Sequence, residues 1–183
     1  GAGSLRAQDI PGGSDTARRA LHVCASCHGE AGRSSNPAYP SLAGQSAQYT
    51  ERQLKDFRAQ TRAETDNRAY MWGVSALLDD DTIRALSDYY AAQAPAAGHR
   101  HGPRRLLARG QQVFEQGLPA AGVRACVSCH GEKAEGASGF PRLAGQHAAY
   151  LERQMVVFGT RLRPHGVLMK NEVAGLGAAD RKA

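Results

Sequence analysis

Cys24-Ala25-Ser26-Cys27-His28 recurs in this chain as Cys126-Val127-Ser128-Cys129-His130, and the two motifs use every cysteine present. On one helical turn, thiols three positions apart can each add across a vinyl group of one haem. The histidine that follows then lies under the iron. Other uses of a Cys-x-x-Cys pair fit less well. Zinc sites place their two pairs about 12 to 20 residues apart, whereas Cys24 and Cys126 stand 102 positions apart and His follows both pairs. A thioredoxin-like redox motif needs a βαβ setting that this sequence lacks, and a disulfide framework gives no reason for the two histidines. Two covalently bound haem c groups are therefore expected, held by Cys24, Cys27 and His28 and by Cys126, Cys129 and His130.

The motifs belong to a longer internal repeat. Pro40-Ser-Leu-Ala-Gly-Gln45 returns as Pro141-Arg-Leu-Ala-Gly-Gln146, and Tyr49-Thr-Glu-Arg-Gln-Leu-Lys-Asp-Phe57 as Tyr150-Leu-Glu-Arg-Gln-Met-Val-Val-Phe158. The chain thus reads as a tandem duplication with one haem domain per half. The expected division is a flexible Gly-rich tail over 1–13, a first domain over 14–94, a linker over 95–103 and a second domain over 104–183. Ser14 or Asp15 is a candidate N-cap for a helix that runs through Ala17, Leu21 and Val23 into the first motif. Residues 45–60 carry helical periodicity. Asp79 or Asp80 caps a further helix with Ile83, Leu86 and Tyr90 on one face, and another follows over about 104–116. No segment reads as a strand, so the fold class is all-α. Domains of ~80 to 90 residues are small for cores of their own, and a buried haem in each would supply the missing apolar mass.

A carrier and a catalyst differ at the sixth ligand of the iron. Methionine opposite histidine fills that position and raises the reduction potential, whereas a vacant position opens the iron to small ligands. Repeat alignment sorts the three methionines. Met155 pairs with Leu54 and reads as core. Met71 and Met169 each follow the second helix of their repeat and precede a similar stretch, from Val74 and from Val173. They are the expected axial ligands, with His165 as a rival to Met169. A ligating histidine normally donates its other ring N–H to an acceptor, and the repeat-equivalent Pro40 and Pro141 offer backbone carbonyls for this. His22, His99, His101 and His147 carry no ligand pattern.

No run approaches the ~18 to 20 apolar residues of a membrane span, and no signal peptide is recognisable at Gly1. Covalent haem attachment nonetheless implies export, and the periplasm is the expected compartment. Charge is uneven. Residues 1–98 hold 10 Lys/Arg against 11 Asp/Glu, and residues 99–183 hold 13 against 6. The second half is thus strongly basic, which suits docking to an acidic protein or an anionic membrane surface, with Arg100, Arg104, Arg105 and Arg109 as contributors. The run Asp79-Asp80-Asp81 reads either as an acidic docking face or as a helix start. No nucleic acid is expected as a partner.

Taken together, the duplicated motif, the two Leu-Ala-Gly-Gln segments, the downstream methionines and the helix Asp81-Thr-Ile-Arg-Ala-Leu-Ser-Asp-Tyr-Tyr90 make the chain resemble the dihaem cytochrome c4 family. That resemblance implies two class I cytochrome c folds about a pseudo-twofold, with propionate edges facing each other. It also implies periplasmic single-electron transfer, as a non-enzymatic carrier between a respiratory donor and a terminal oxidase or reductase. An alternative is the electron-accepting subunit of a thiosulfate or sulfide dehydrogenase. A dihaem peroxidase-type enzyme fits less well, because both repeats carry the methionine and no cysteine is left over. Repeat one continues past Ala85, whereas the sequence stops at the equivalent Ala183. The expectation is that the natural protein continues or that domain two melts first.

Overall fold

Ser14 opens the first helix by accepting the Ala17 N–H at 3.3 Å, which satisfies one of the free donors that every helix start leaves. In the computed structural model, which describes residues 14–65, 70–98, 102–137 and 139–183, helix α1 runs Asp15–His28. It is followed by α2 (Ala47–Arg58), α3 (Tyr70–Ser75) and α4 (Asp80–Ala91). Asp79 caps α4 by accepting the Thr82 N–H at 2.7 Å. Ala17 and Leu21 of α1 pack with Ile83, Leu86, Tyr89 and Tyr90 of α4 and with Leu78 as one buried cluster. Each such large side chain contributes about 1.5 to 3 kcal/mol when fully buried, and α2 packs across α4 and α3 to close the domain.

The second repeat comprises α5 (Arg104–Gln116), α6 (Val127–His130), α7 (Ala148–Phe158), α8 (Val167–Ala174) and α9 (Ala178–Lys182). Here the helix leading to the haem motif is broken. The chain leaves α5 at Gly117, makes a 3-10 turn over Pro119–Ala121 and re-enters as the four-residue α6. Pro119 cannot donate within a helix, so the interruption falls where the sequence places it. Val113, Val123, Val157, Phe158 and Val173 are the buried apolar residues of this half. α4 buries six residues and its counterpart α9 none, which leaves the second half with the thinner protein core. Among the described residues the only β pairing is two isolated bridges, Leu118–Val123 and Ala137–Phe140. The all-α expectation holds.

The halves meet about a pseudo-twofold that is visible bond by bond. Arg52 donates to the Gly139 carbonyl at 2.6 Å and its repeat-equivalent Arg153 to the Ala38 carbonyl at 2.9 Å. The Ala63 N–H joins the Leu162 carbonyl at 2.8 Å. The expected tail over 1–13, and His99, Arg100 and His101 of the expected linker, lie outside the described residues.

Candidate haem sites

Each haem histidine is the last residue of its helix, and the turn after it is built from glycine. Gly29 and Gly131 have φ of +79° and +83°. A Cβ at Gly29 would stand 2.1 Å from the Arg33 carbonyl oxygen, and one at Gly131 would stand 2.4 Å from the Glu135 carboxylate. The left-handed turn lets the following loop fold back until Pro40 and Pro141 reach the rings. His28 Nδ1 lies 2.8 Å from the Pro40 carbonyl oxygen and His130 Nδ1 lies 2.9 Å from that of Pro141. A carbonyl can only accept, so Nδ1 carries the proton and Nε2 presents its lone pair. Burial pushes both imidazoles below their ordinary range. The proline carbonyls oppose that shift, and the Arg62 charge reinforces it at His28. Burial thus favours the neutral ring, the form that an iron ligand needs. Tyr39 and Phe140 bracket them edge-on, with centroids 6.3 and 6.4 Å away.

Burial likewise pushes the Cys24 and Cys126 thiols up. Both Cys-x-x-Cys pairs, both histidines, Met71 of α3 and Met169 of α8 line one continuous cavity of about 740 Å³. Met155 and its repeat-equivalent Leu54 form part of the same wall, so Met155 faces the cavity from α7. The other candidates point elsewhere. His165 is exposed, donates from Nδ1 to Asp56 at 2.7 Å and, unlike Met169, does not line that cavity. His22 is exposed, and His147 Nε2 bonds the Ser34 carbonyl across the domain boundary at 2.9 Å.

Between the domains lies a polar cluster that motif reasoning did not reach. Arg62 and Arg163 are buried, 5% and 6% exposed, and stack over the Phe57 and Phe158 rings at 4.5 and 4.0 Å. Arg62 donates to Gln53, Glu64 and Tyr150 at 2.7, 3.0 and 3.1 Å. Arg163 donates to Gln154, Gln53 and Tyr49 at 2.7, 2.8 and 3.1 Å. Burial opposes the Arg62 charge, but the surrounding tyrosine and carboxylate oxygens outweigh it and hold its pKa above the ordinary value. A signal did exist in the sequence: Tyr49, Gln53, Phe57 and Arg62 recur together as Tyr150, Gln154, Phe158 and Arg163.

The expected docking charges are partly spent. Arg109 is paired with Asp180 at 2.7 Å. Asp79 is a cap, Asp80 is paired with Arg58 at 2.6 Å and Asp81 with Arg84 at 3.0 Å. The acidic run is a helix start with its own counterions. Arg104 and Arg105 are exposed.

The cytochrome c family model matches residues 17–92 and 107–178, one match per repeat. The chain is 41% identical to cytochrome c-552 of Acidithiobacillus ferridurans over 76% of its own length and 62% of that protein's. It is 36% identical to cytochrome c4 of Pseudomonas aeruginosa over 76% of its length and 68% of that protein's. The chain belongs to the dihaem cytochrome c4 family. Solved structures agree on the domain arrangement. Cytochrome c4 of Acidithiobacillus ferrooxidans superposes with a TM-score of 0.78 at 37% identity, covering 87% of this chain and 92% of that one. Reduced cytochrome c4 of Pseudomonas stutzeri gives 0.81 at 29% identity, covering 93% and 94%. A "thiosulfate dehydrogenase electron acceptor" of Thiomonas intermedia is 38% identical over 72% of this chain and 60% of that one.

As a member of this family the cytochrome carries two covalently bound haem c groups. Its residues fit that cofactor on structural grounds too. The cavity wall is apolar beside the thiols and histidines, while Arg62 Nε, the Ser41 hydroxyl and the Thr50 hydroxyl are buried without a partner among the described residues. Two buried guanidiniums beside a single carboxylate, Glu64, suit an occupant that is apolar in its body and anionic at one edge.

Proposed function

We propose that this cytochrome is a periplasmic single-electron carrier and not an enzyme, acting between a respiratory donor and a terminal oxidase or reductase. The observation that carries the proposal is the histidine whose Nδ1 is held by a proline carbonyl, repeated in both halves of one cavity that each half also lines with a methionine. Bound haem supplies a one-electron iron couple. The chain's residues do the rest. Cys24 and Cys27, and Cys126 and Cys129, tether the groups. His28 and His130 would offer Nε2 to the irons, with Pro40 and Pro141 fixing the ring tautomers, and Met71 and Met169, which line the same cavity, would offer sulfur. An iron held by both a histidine and a methionine would have no open coordination site for a substrate. Domain limits at 14–94 and 104–183, joined by residues 95–103, are supported by the helix starts at Asp15 and Arg104.

The test is direct. Chain exported from a haem-attaching bacterial host should gain the mass of two haems, titrate as two reversible one-electron steps, and bind no carbon monoxide when reduced. Carbon monoxide binding by the unaltered protein would place an open iron, and hence an enzyme, back in contention. A second reading rests on the Thiomonas relative: the cytochrome would accept electrons within a thiosulfate dehydrogenase assembly. Stable co-purification with a catalytic subunit, and reduction by it in the presence of thiosulfate, would favour that reading.

A further inference from the structure

Gln45 and Gln146 occupy the same repeat position, and each reaches across the domain boundary to grip one residue of the other half. Gln45 Nε2 donates to the Arg142 carbonyl at 3.0 Å and its Oε1 accepts the Arg142 N–H at 2.8 Å. Gln146 repeats both bonds on Ser41, each at 2.9 Å. The gripped N–H groups have particular neighbours. The Arg142 N–H belongs to the same peptide unit as the Pro141 carbonyl, and the Ser41 N–H to the same unit as the Pro40 carbonyl. Those are the two carbonyls that accept from His130 and His28.

A peptide unit is a resonance system, so electron density given to its N–H side increases the negative charge on its oxygen. Hydrogen bonds in series polarise one another, by about 10–30% per bond. The path runs from Gln45 Oε1 through the peptide joining Pro141 and Arg142 to the ring N–H of His130. Its mirror runs from Gln146 Oε1 through the peptide joining Pro40 and Ser41 to His28. A stronger acceptor at Nδ1–H makes the imidazole a more basic ligand, which favours the oxidised iron and lowers the potential. Gln45 itself is buried, 8% exposed, so water does not dilute the bond.

We infer that Gln45 and Gln146 are positioning residues acting in trans, each setting through one shared peptide group the hydrogen bond, and hence the reduction potential, of the haem ligand in the opposite domain. The inference rests on the ligand roles proposed above for His28 and His130. Domain association thereby becomes an electronic control, since separating the domains would remove the glutamine bond behind each histidine acceptor at once.

The test uses the full-length dihaem protein with Gln45→Met, Gln146→Met and the near-isosteric Gln45→Glu. Gln45→Met removes the acceptor for the Arg142 N–H, so the haem at His130 should shift to higher potential while the haem at His28 stays within error. Gln146→Met should give the reverse pattern. Haem-resolved NMR redox titration reads both, and the Nδ1–H proton resonance of the affected histidine in the reduced protein should move upfield as its hydrogen bond weakens. Gln45→Glu keeps an acceptor of stronger charge for the Arg142 N–H while setting an oxygen against the Arg142 carbonyl that Gln45 Nε2 serves. Where it folds it should lower the His130 haem more than the His28 haem, and the mirror variant Gln146→Met carries the same test where neither Gln45 variant folds. Equal shifts at both haems, a shift at the wrong one, or none would overturn the inference. Those outcomes are separable from failure of the ligand reading, which would appear in the unaltered protein as a missing haem, a high-spin iron or loss of the two one-electron steps.

Discussion

Arg62 and Arg163 both donate to the side-chain oxygen of Gln53, at 2.7 and 2.8 Å, so one carboxamide joins the buried guanidiniums of two domains. Gln154 mirrors it, accepting from Arg163 at 2.7 Å and from Arg62 at 3.4 Å while donating to Glu64 at 2.7 Å. The interface is thus held by a polar network that spans both domains, and such networks are costly to open at any single member.

Arg62→Met should therefore destabilise the protein. It leaves Glu64 without its buried counterion and removes the donor to Gln53 and Tyr150. Removing one member of a buried pair costs roughly 3 to 5 kcal/mol, and partial exposure of Glu64 puts the expectation near the lower end, about 3 kcal/mol. Guanidinium unfolding followed by haem absorbance reads it. A loss below about 0.5 kcal/mol, the range of ordinary surface changes, would mean that the network does not hold the domains.

Met71→Ala and Met169→Ala should each lower the potential of one haem and open that iron to carbon monoxide, since a thioether ligand raises the potential and fills the site. Met71 should act on the haem at His28 and Met169 on the haem at His130. His165→Ala should do neither, because its ring is spent on Asp56. A second haem altered by His165→Ala and untouched by Met169→Ala would reverse the assignment.

The chemistry of the site was legible in the sequence because covalent attachment demands a fixed local spacing, and a duplicated local spacing is hard to mistake. Pro40 and Pro141 were legible for a related reason: repeat alignment paired them, 12 and 11 residues beyond their histidines. The interface was not. Arg62 and Arg163 look like ordinary surface cations in a one-dimensional reading, and only docking of the halves buries them. The break between α5 and α6 could have been read from Gly117 and Pro119. Of the two readings open for Asp79-Asp80-Asp81 the structure supports the helix start. The sequence could not decide between them, because a count of carboxylates does not reveal that Thr82, Arg58 and Arg84 already answer them.

Those answered carboxylates tie the stability of the fold to pH. The Thr82 N–H holds Asp79 below the usual carboxylate range, and Arg58 does so for Asp80. The Arg124 N–H and side chain do so for Glu172, and Arg109 for Asp180. A carboxyl depressed in the folded state contributes stability that is present above its unfolded value, near 4, and is lost as pH falls through the folded value. Tm should therefore stay level from pH 7 to about 5 and drop below about 4. Asp180→Asn should lower Tm at pH 7 and shrink the drop between pH 5 and 3. A variant whose acid profile runs parallel to that of the unaltered protein would show that the Arg109 pair is too well solvated to matter.

Charge should also govern how partners arrive. Residues 99–183 carry 13 Lys/Arg against 6 Asp/Glu, and with Arg109 paired to Asp180 the exposed Arg104 and Arg105 at the start of α5 are the more available contributors. Fields of this kind steer a partner and raise association rates more than final affinity, which suits a carrier that must also leave quickly. The expected partner face is acidic. Second-order electron-transfer rates with such a partner, measured by stopped flow, should fall as ionic strength rises toward physiological values, where exposed charges are screened over about 8 Å. Arg104→Glu with Arg105→Glu should slow the low-salt rate by about tenfold, the lower end of what steering supplies, and should flatten its salt dependence while leaving both potentials unchanged. A rate that is already flat in the unaltered protein would remove electrostatic steering from the account and leave the basic half as a matter of solubility.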